Sequence, residues 1–229
     1  EIRPRDWSSD VCSSDLPVMK PICTSLAFLL IHFSMTAQNN AEAVKILDRF
    51  SRTALSAPSV SMKFDLETVD QMEGTDNKST GSIILSKDRY RLEMPDNIIW
   101  FDGQTSWSYL PAEKEVTITR PEKNDDSFQS RPSAVFSLYR KDYKVRLLEE
   151  KESSYLIDLY PEKLDSDHVR IRLSIGKPSF DLKGIEYKYK NGVTVMLTVK
   201  DYDLKQVPDN SDFIFPTGRY KGVEINDMR

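Results

Sequence analysis

Residues 81–94, GSIILSKDRYRLEM, and residues 102–111, DGQTSWSYLP, decide the fold. In the first, Tyr90, Leu92 and Met94 alternate with Arg89, Arg91 and Glu93. A period of two puts one set on each face of a pleated strand. In the second, Trp107 and Tyr109 share a face in the same way. Turn residues sit between the runs at Pro95-Asp96-Asn97, Asp102-Gly103 and Pro111-Ala112-Glu113, so successive strands fold back on one another as antiparallel hairpins.

The same alternation extends outward from this centre. Val60, Met62, Phe64 and Leu66 alternate with Ser61, Lys63, Asp65 and Glu67, and similar runs occupy His168–Ile175 and Ile185–Lys190. Asn191-Gly192 is a strong two-residue hairpin signal. Between Ala41 and Ala57 the period changes: Ala43, Ile46, Leu47, Phe50 and Ala54 recur at helical spacing, with Asn39 and Glu42 as a cap and Pro58 as the stop. A polar, acidic stretch from Pro121 to Pro132 precedes Ser133–Tyr143, where Val135, Phe136, Leu138 and Tyr139 predict a short helix. The reading is one α+β domain over residues 38–229, with ten or eleven strands, an opening helix and a helix inserted midway. A large sheet with one apolar face must cover that face, either by closing on itself or with the helices. Periodicity leaves open whether the space beneath is a filled core or a greasy cavity.

Composition narrows function. The 229 residues carry 32 Lys+Arg against 36 Asp+Glu, a net charge of −4, without the basic excess of a nucleic-acid binder. Cys12, Cys23 and His32 precede residue 38, which leaves His168 as the one His or Cys beyond it. A Cys/His zinc site, a thiol nucleophile and a Ser-His-Asp triad are thereby excluded. Asp102, Asp158 and Asp181 lie in separate strands or turns, no phosphate-binding glycine loop occurs, and neither an enzyme nor a cofactor is expected.

Residues 19–37 combine a basic start at Lys20, an apolar run from Leu26 to Phe33 and a small-residue end. That order describes a secretory signal peptide cleaved near Ala37/Gln38, since the run is about half of the ~20 residues a bilayer span needs. Residues 1–18, with Asp6, Asp10, Asp15 and a repeated Ser-Ser-Asp, read as an upstream artefact unrelated to the fold.

Four elements in order carry a family resemblance: the strand opened by Gly81, the Tyr90-Arg91-Leu92 strand, the Asp102-Gly103…Trp107-x-Tyr109-x-Pro111 element, and Asp212-Phe-Ile-Phe-Pro216 followed by Gly222-Val-Glu-Ile225. This arrangement resembles the periplasmic outer-membrane lipoprotein carriers, the LolA-like proteins. The sequence departs from the family pattern at Lys87-Asp88, where Arg-Pro is common, and at Leu92, where an aromatic is usual. The resemblance implies an incomplete antiparallel β-barrel whose open side is closed by helices over an apolar cavity. It implies acyl chains held by Phe64, Leu66, Tyr90, Leu92, Met94, Trp107 and Tyr109, and a lid formed by Val135, Phe136, Leu138 and Tyr139. Lys87 stands at the family's arginine position and is either the lid tether or a solvated strand lysine. The implied partners are acylated lipoproteins or other lipids, an inner-membrane exporter and an outer-membrane acceptor, with the protein a periplasmic monomer. A lipid- or protein-binding sensor on the same scaffold is the alternative.

Overall fold

The computed structural model describes residues 23–121 and 131–229, with side chains from residue 40 onward. Residues 1–18 and the bulk of the acidic 121–132 stretch lie outside the described residues. The chain divides into two compact units, 1–37 and 38–229. In the first, residues 23–37 are helical; the second contains everything below. Among the described residues no helix is long and apolar enough to cross a membrane.

Helix α1 spans Cys23–Ser56, and the predicted stripe is the buried one: Ala43, Leu47 and Phe50 are fully enclosed, and Ile46 and Ala54 nearly so. The helix stops two residues before Pro58, whose ring disfavours helical backbone in the residue preceding it. Twelve strands follow: β1 (Val60–Asp70), β2 (Thr75–Ser86), β3 (Arg89–Glu93), β4 (Ile98–Phe101), β5 (Ser106–Leu110), β6 (Glu115–Thr119), β7 (Tyr143–Glu150), β8 (Ser154–Pro161), β9 (His168–Gly176), β10 (Leu182–Tyr189), β11 (Val193–Asp203) and β12 (Glu224–Asp227). They form one sheet in the order β12-β6-β5-β4-β3-β2-β1-β11-β10-β9-β8-β7. Two meanders, β1–β6 and β7–β11, are thus joined through β1 and β11. All pairs are antiparallel except β12 with β6. The sheet is open, with one or two strands more than expected.

The hairpin turns behave as their residues dictate. The Asp102 carboxylate accepts hydrogen bonds from the backbone N–H of Gln104 and Thr105, each at 2.8 Å, and Gly103 takes φ +102°. Gly192 adopts φ +87° beside Asn191, whose side chain accepts from the Val193 N–H. The inserted helix expected over 133–143 is instead two 3₁₀ turns, Pro132–Phe136 and Leu138–Arg140, and Tyr143 already belongs to β7. So short a segment cannot offset the cost of helix nucleation, and its residues are fixed by packing.

Cross-strand register defines the face toward α1, here the inner face. It is built from Val60, Met62 and Phe64 of β1, Ile83 and Leu85 of β2, Tyr90 and Leu92 of β3, and the buried residues of β7–β11 such as Ile157, Leu173 and Ile185. With the α1 stripe and Val135, Phe136 and Tyr139 these make a single core. Among the described residues the centre of this face is closely packed with side chains: Phe64, Tyr90 and Leu92 are each no more than 3% exposed.

Candidate functional site

Five residues anticipated as cavity walls share the inner face of β1–β3: Phe64, Leu66, Tyr90, Leu92 and Met94. Gly81 lies opposite Phe64 on β2. A Cβ there would stand 2.5 Å from Met94 Sδ and 2.6 Å from Phe64 Cζ, so glycine is what lets these two side chains meet across the strand. Trp107 and Tyr109 are not part of this group. Trp100 pairs with Trp107 and Ile98 with Tyr109, which sets all four on the outer face, where Tyr109 and Trp100 pack under Phe215 and Tyr220. A strand's alternation says that two residues share a face, and says nothing of which face.

Among the described residues, two open cavities flank the packed centre. The first, about 650 Å³, is lined on its apolar side by Leu66, Leu92, Met94 and Ile99 and rimmed by Lys78, Ser79, Thr80, Asp96 and Asn97. The second, about 680 Å³, lies where the end of α1 (Ala54–Pro58) approaches Val60, Leu85 and the 3₁₀ turn at Ala134, Phe136 and Ser137. Both fall in the size range of small-ligand pockets.

Of the residues expected to form a lid, Val135, Phe136 and Tyr139 are buried against α1, with the Phe136 ring 5.3 Å from that of Phe50; Leu138 packs at the edge. A polar latch holds them. The Tyr139 hydroxyl donates to Asp48 Oδ1 at 2.6 Å, Arg140 Nε donates to the Tyr139 oxygen at 3.1 Å, and Arg140 Nη2 reaches Ser51 Oγ at 3.4 Å and Asp48 Oδ1 at 3.5 Å. Burial, and then the bond to Asp48, push the Tyr139 hydroxyl above the ordinary tyrosine pKa.

Lys87 occupies the tight β2–β3 turn with φ +57° and lines the second cavity beside the lid turn. It makes no hydrogen bond or ion pair among the described residues, and the bonds that fasten Tyr139 and Arg140 come from Asp48 and Ser51 of α1. These residues were missed in the sequence, where their one signal is a polar i, i+3 pair bordering the apolar stripe. Ser51 is fully buried.

A family described as outer membrane lipoprotein carrier protein LolA matches residues 33–193. The outer-membrane lipoprotein carrier protein of Vibrio cholerae is 25% identical over 196 residues, covering 78% of this chain and 94% of the relative. Among solved structures, an uncharacterised conserved protein from Thermus thermophilus aligns with a TM-score of 0.54 at 12% identity, covering 81% of this chain and 99% of its own; this is a likeness of fold. A LolA superfamily protein from Nitrosomonas europaea aligns with a TM-score of 0.41 at 13% identity, over 76% of this chain and 97% of its own. With more than two thirds of its length matched, this chain belongs to the outer membrane lipoprotein carrier protein LolA family.

Proposed function

We propose that this protein is a periplasmic carrier that holds the acyl chains of lipoproteins against the inner face of its sheet and passes them from an inner-membrane exporter to an outer-membrane acceptor. One observation carries this reading: Leu66, Leu92, Met94 and Ile99 line an open cavity of about 650 Å³ on the face that α1 and the lid cover. Family membership supports it. Lys87 remains proposed as a lid contact made when the lid shifts toward the second cavity, which it already lines.

Energetics shape the mechanism. Moving an acyl chain of about fifteen CH₂ groups from water into a dry site is worth up to ~12 kcal/mol. Three such chains would reach ~36 kcal/mol, beyond the ceiling of roughly 18–21 kcal/mol for non-covalent binding. Capture must therefore spend free energy elsewhere, and the filled centre supplies the means. Phe50 and Phe136 have to part and the Asp48–Tyr139 bond has to break before chains can run from one cavity to the other. Closing the lid restores these contacts and expels cargo, so hand-over needs no nucleotide.

Native mass spectrometry of protein isolated from periplasm tests the reading. Co-purifying acylated polypeptide or lipid is expected. Cargo-free protein that also fails to bind a fluorescent fatty acid would overturn it.

A further inference from the structure

The outer face of β7–β10 carries a charge pattern that folding does not explain. Register aligns Arg146, Asp158, Arg172 and Glu186 in one cross-strand row of alternating sign. Asp158, 1% exposed, accepts from Arg172 Nε at 2.6 Å and Nη2 at 2.9 Å, while Arg170 pairs with Glu186 and lies 3.9 Å from Asp158. Two acids thereby balance two arginines. The adjacent row sets Lys144 opposite Tyr160 and Arg170 opposite Lys188, with no acid in it. Lys144, Arg146 and Lys188 are exposed and form no ion pair among the described residues.

Like charges directly opposite one another destabilise a sheet; Glu186 and Asp158 offset Arg170, which leaves Lys188 as the uncompensated member of the Arg170–Lys188 pair. The positive charge is also local, because the protein as a whole is anionic at −4. The acids of the β8–β9 connection, Glu162, Asp165 and Asp167, lie beyond the strand ends. At the β7 bulge Leu148 is 42% exposed on the edge strand, and Glu149, opposite Leu156, adds one acid to this face. Long basic side chains with an exposed leucine and a tyrosine are the composition of a surface that meets lipid headgroups.

We propose that the outer face of β7–β10 docks the protein onto an anionic bilayer, with Lys144, Arg146 and Lys188 on the headgroup phosphates. This face plays no part in acyl binding on the inner side, so the two readings stand or fall separately.

Sedimentation with vesicles tests it. The cargo-free protein is expected to bind phosphatidylglycerol-containing vesicles at low salt, to ignore phosphatidylcholine vesicles, and to be released as salt screens the charges. At about 1 kcal/mol for each basic residue near the surface, the Lys144→Glu/Arg146→Glu/Lys188→Glu variant should lose on the order of 100-fold in partitioning. A variant of equal charge change elsewhere, Lys45→Glu/Lys114→Glu/Lys221→Glu, should keep most of the binding. Circular dichroism should be unchanged, while Arg146→Glu, which sets a second carboxylate opposite Asp158, should lower the melting point modestly. Failure of the wild type to bind anionic vesicles overturns the proposal, leaving an acidic protein as the partner to seek. Equal loss in both variants overturns it too.

Discussion

In β7–β11 the apolar residues look toward α1, and the opposite face is a ladder of ion pairs. In β5 and β6 this polarity is reversed: the inner face presents Ser106, Ser108, Thr117 and Thr119, while Tyr109 and Val116, with Trp100 of β4, turn outward beneath the C-terminal segment. The strands alternate equally well in both regions. What differs is what the chain later brings to cover them. One wing receives α1 and the lid; the other receives Phe215 and Tyr220, with Phe215 5.3 Å from Trp100 and Tyr220 4.6 Å from Tyr109. A cover that arrives more than a hundred residues later decides which face of β5 is core. The open space follows the first cover, since both cavities border the inner face, and the second cover packs on the outer face of the sheet's other end.

Substitutions in each wing should therefore fail differently. Phe50→Ala empties the centre of the α1 contact and is expected to cost about 4 kcal/mol, lowering the midpoint of cooperative unfolding and exchange protection across β7–β11. Trp100→Ala should cost about 3 kcal/mol, and its signature is local. Amides of Phe213–Asp227 should exchange faster while those of β8 and β9 keep their protection. Loss of protection in both wings from Trp100→Ala would erase the distinction between them.

Asp158→Asn leaves Arg172 without its carboxylate, while Arg170 keeps Glu186. As the arginines are only partly buried, a loss of about 2 kcal/mol in chemical denaturation is expected, with the inner-face cavities intact and fatty-acid binding unchanged. The smallest effect belongs to the lid. Tyr139→Phe removes the bond to Asp48 at about 1 kcal/mol and should speed cargo entry. The wild-type hydroxyl has a raised pKa in the folded state, so its contribution is complete below the ordinary value of 10.0 and is lost as pH rises through the raised one. The stability difference between wild type and Tyr139→Phe should shrink over that alkaline window, and a constant difference would show that the hydroxyl is not latched.

Much of this architecture is legible in the residues themselves. The α1 stripe, the hairpin at Asn191-Gly192, the turn at Asp102-Gly103 and the grouping of Phe64, Tyr90, Leu92 and Met94 follow from local periodicity and turn chemistry. Trp107 and Tyr109 were misplaced because alternation fixes who shares a face and leaves the choice of face to a distant segment. The latch was overlooked for a related reason. Asp48, Ser51, Tyr139 and Arg140 are ordinary surface residue types that meet only after the chain has closed a loop of some ninety residues. Lys87 was singled out by its position in a family pattern, and its tight-turn geometry, with φ +57°, directs it to the second cavity without bonding the lid.

Methionines report on both faces of the sheet. Met94 lines the first cavity and Met62 is buried in the inner core, whereas Met196 lies on the outer face opposite Glu186 and Met228 is exposed at the C-terminus. Methyl NMR of methionine-labelled protein with a spin-labelled fatty acid reads this placement directly. Strong broadening of Met94, with Met62 affected as the chain penetrates and Met196 and Met228 left sharp, is the expected result. Broadening confined to Met196 or Met228, or none at saturating probe, would contradict acyl binding on the inner face.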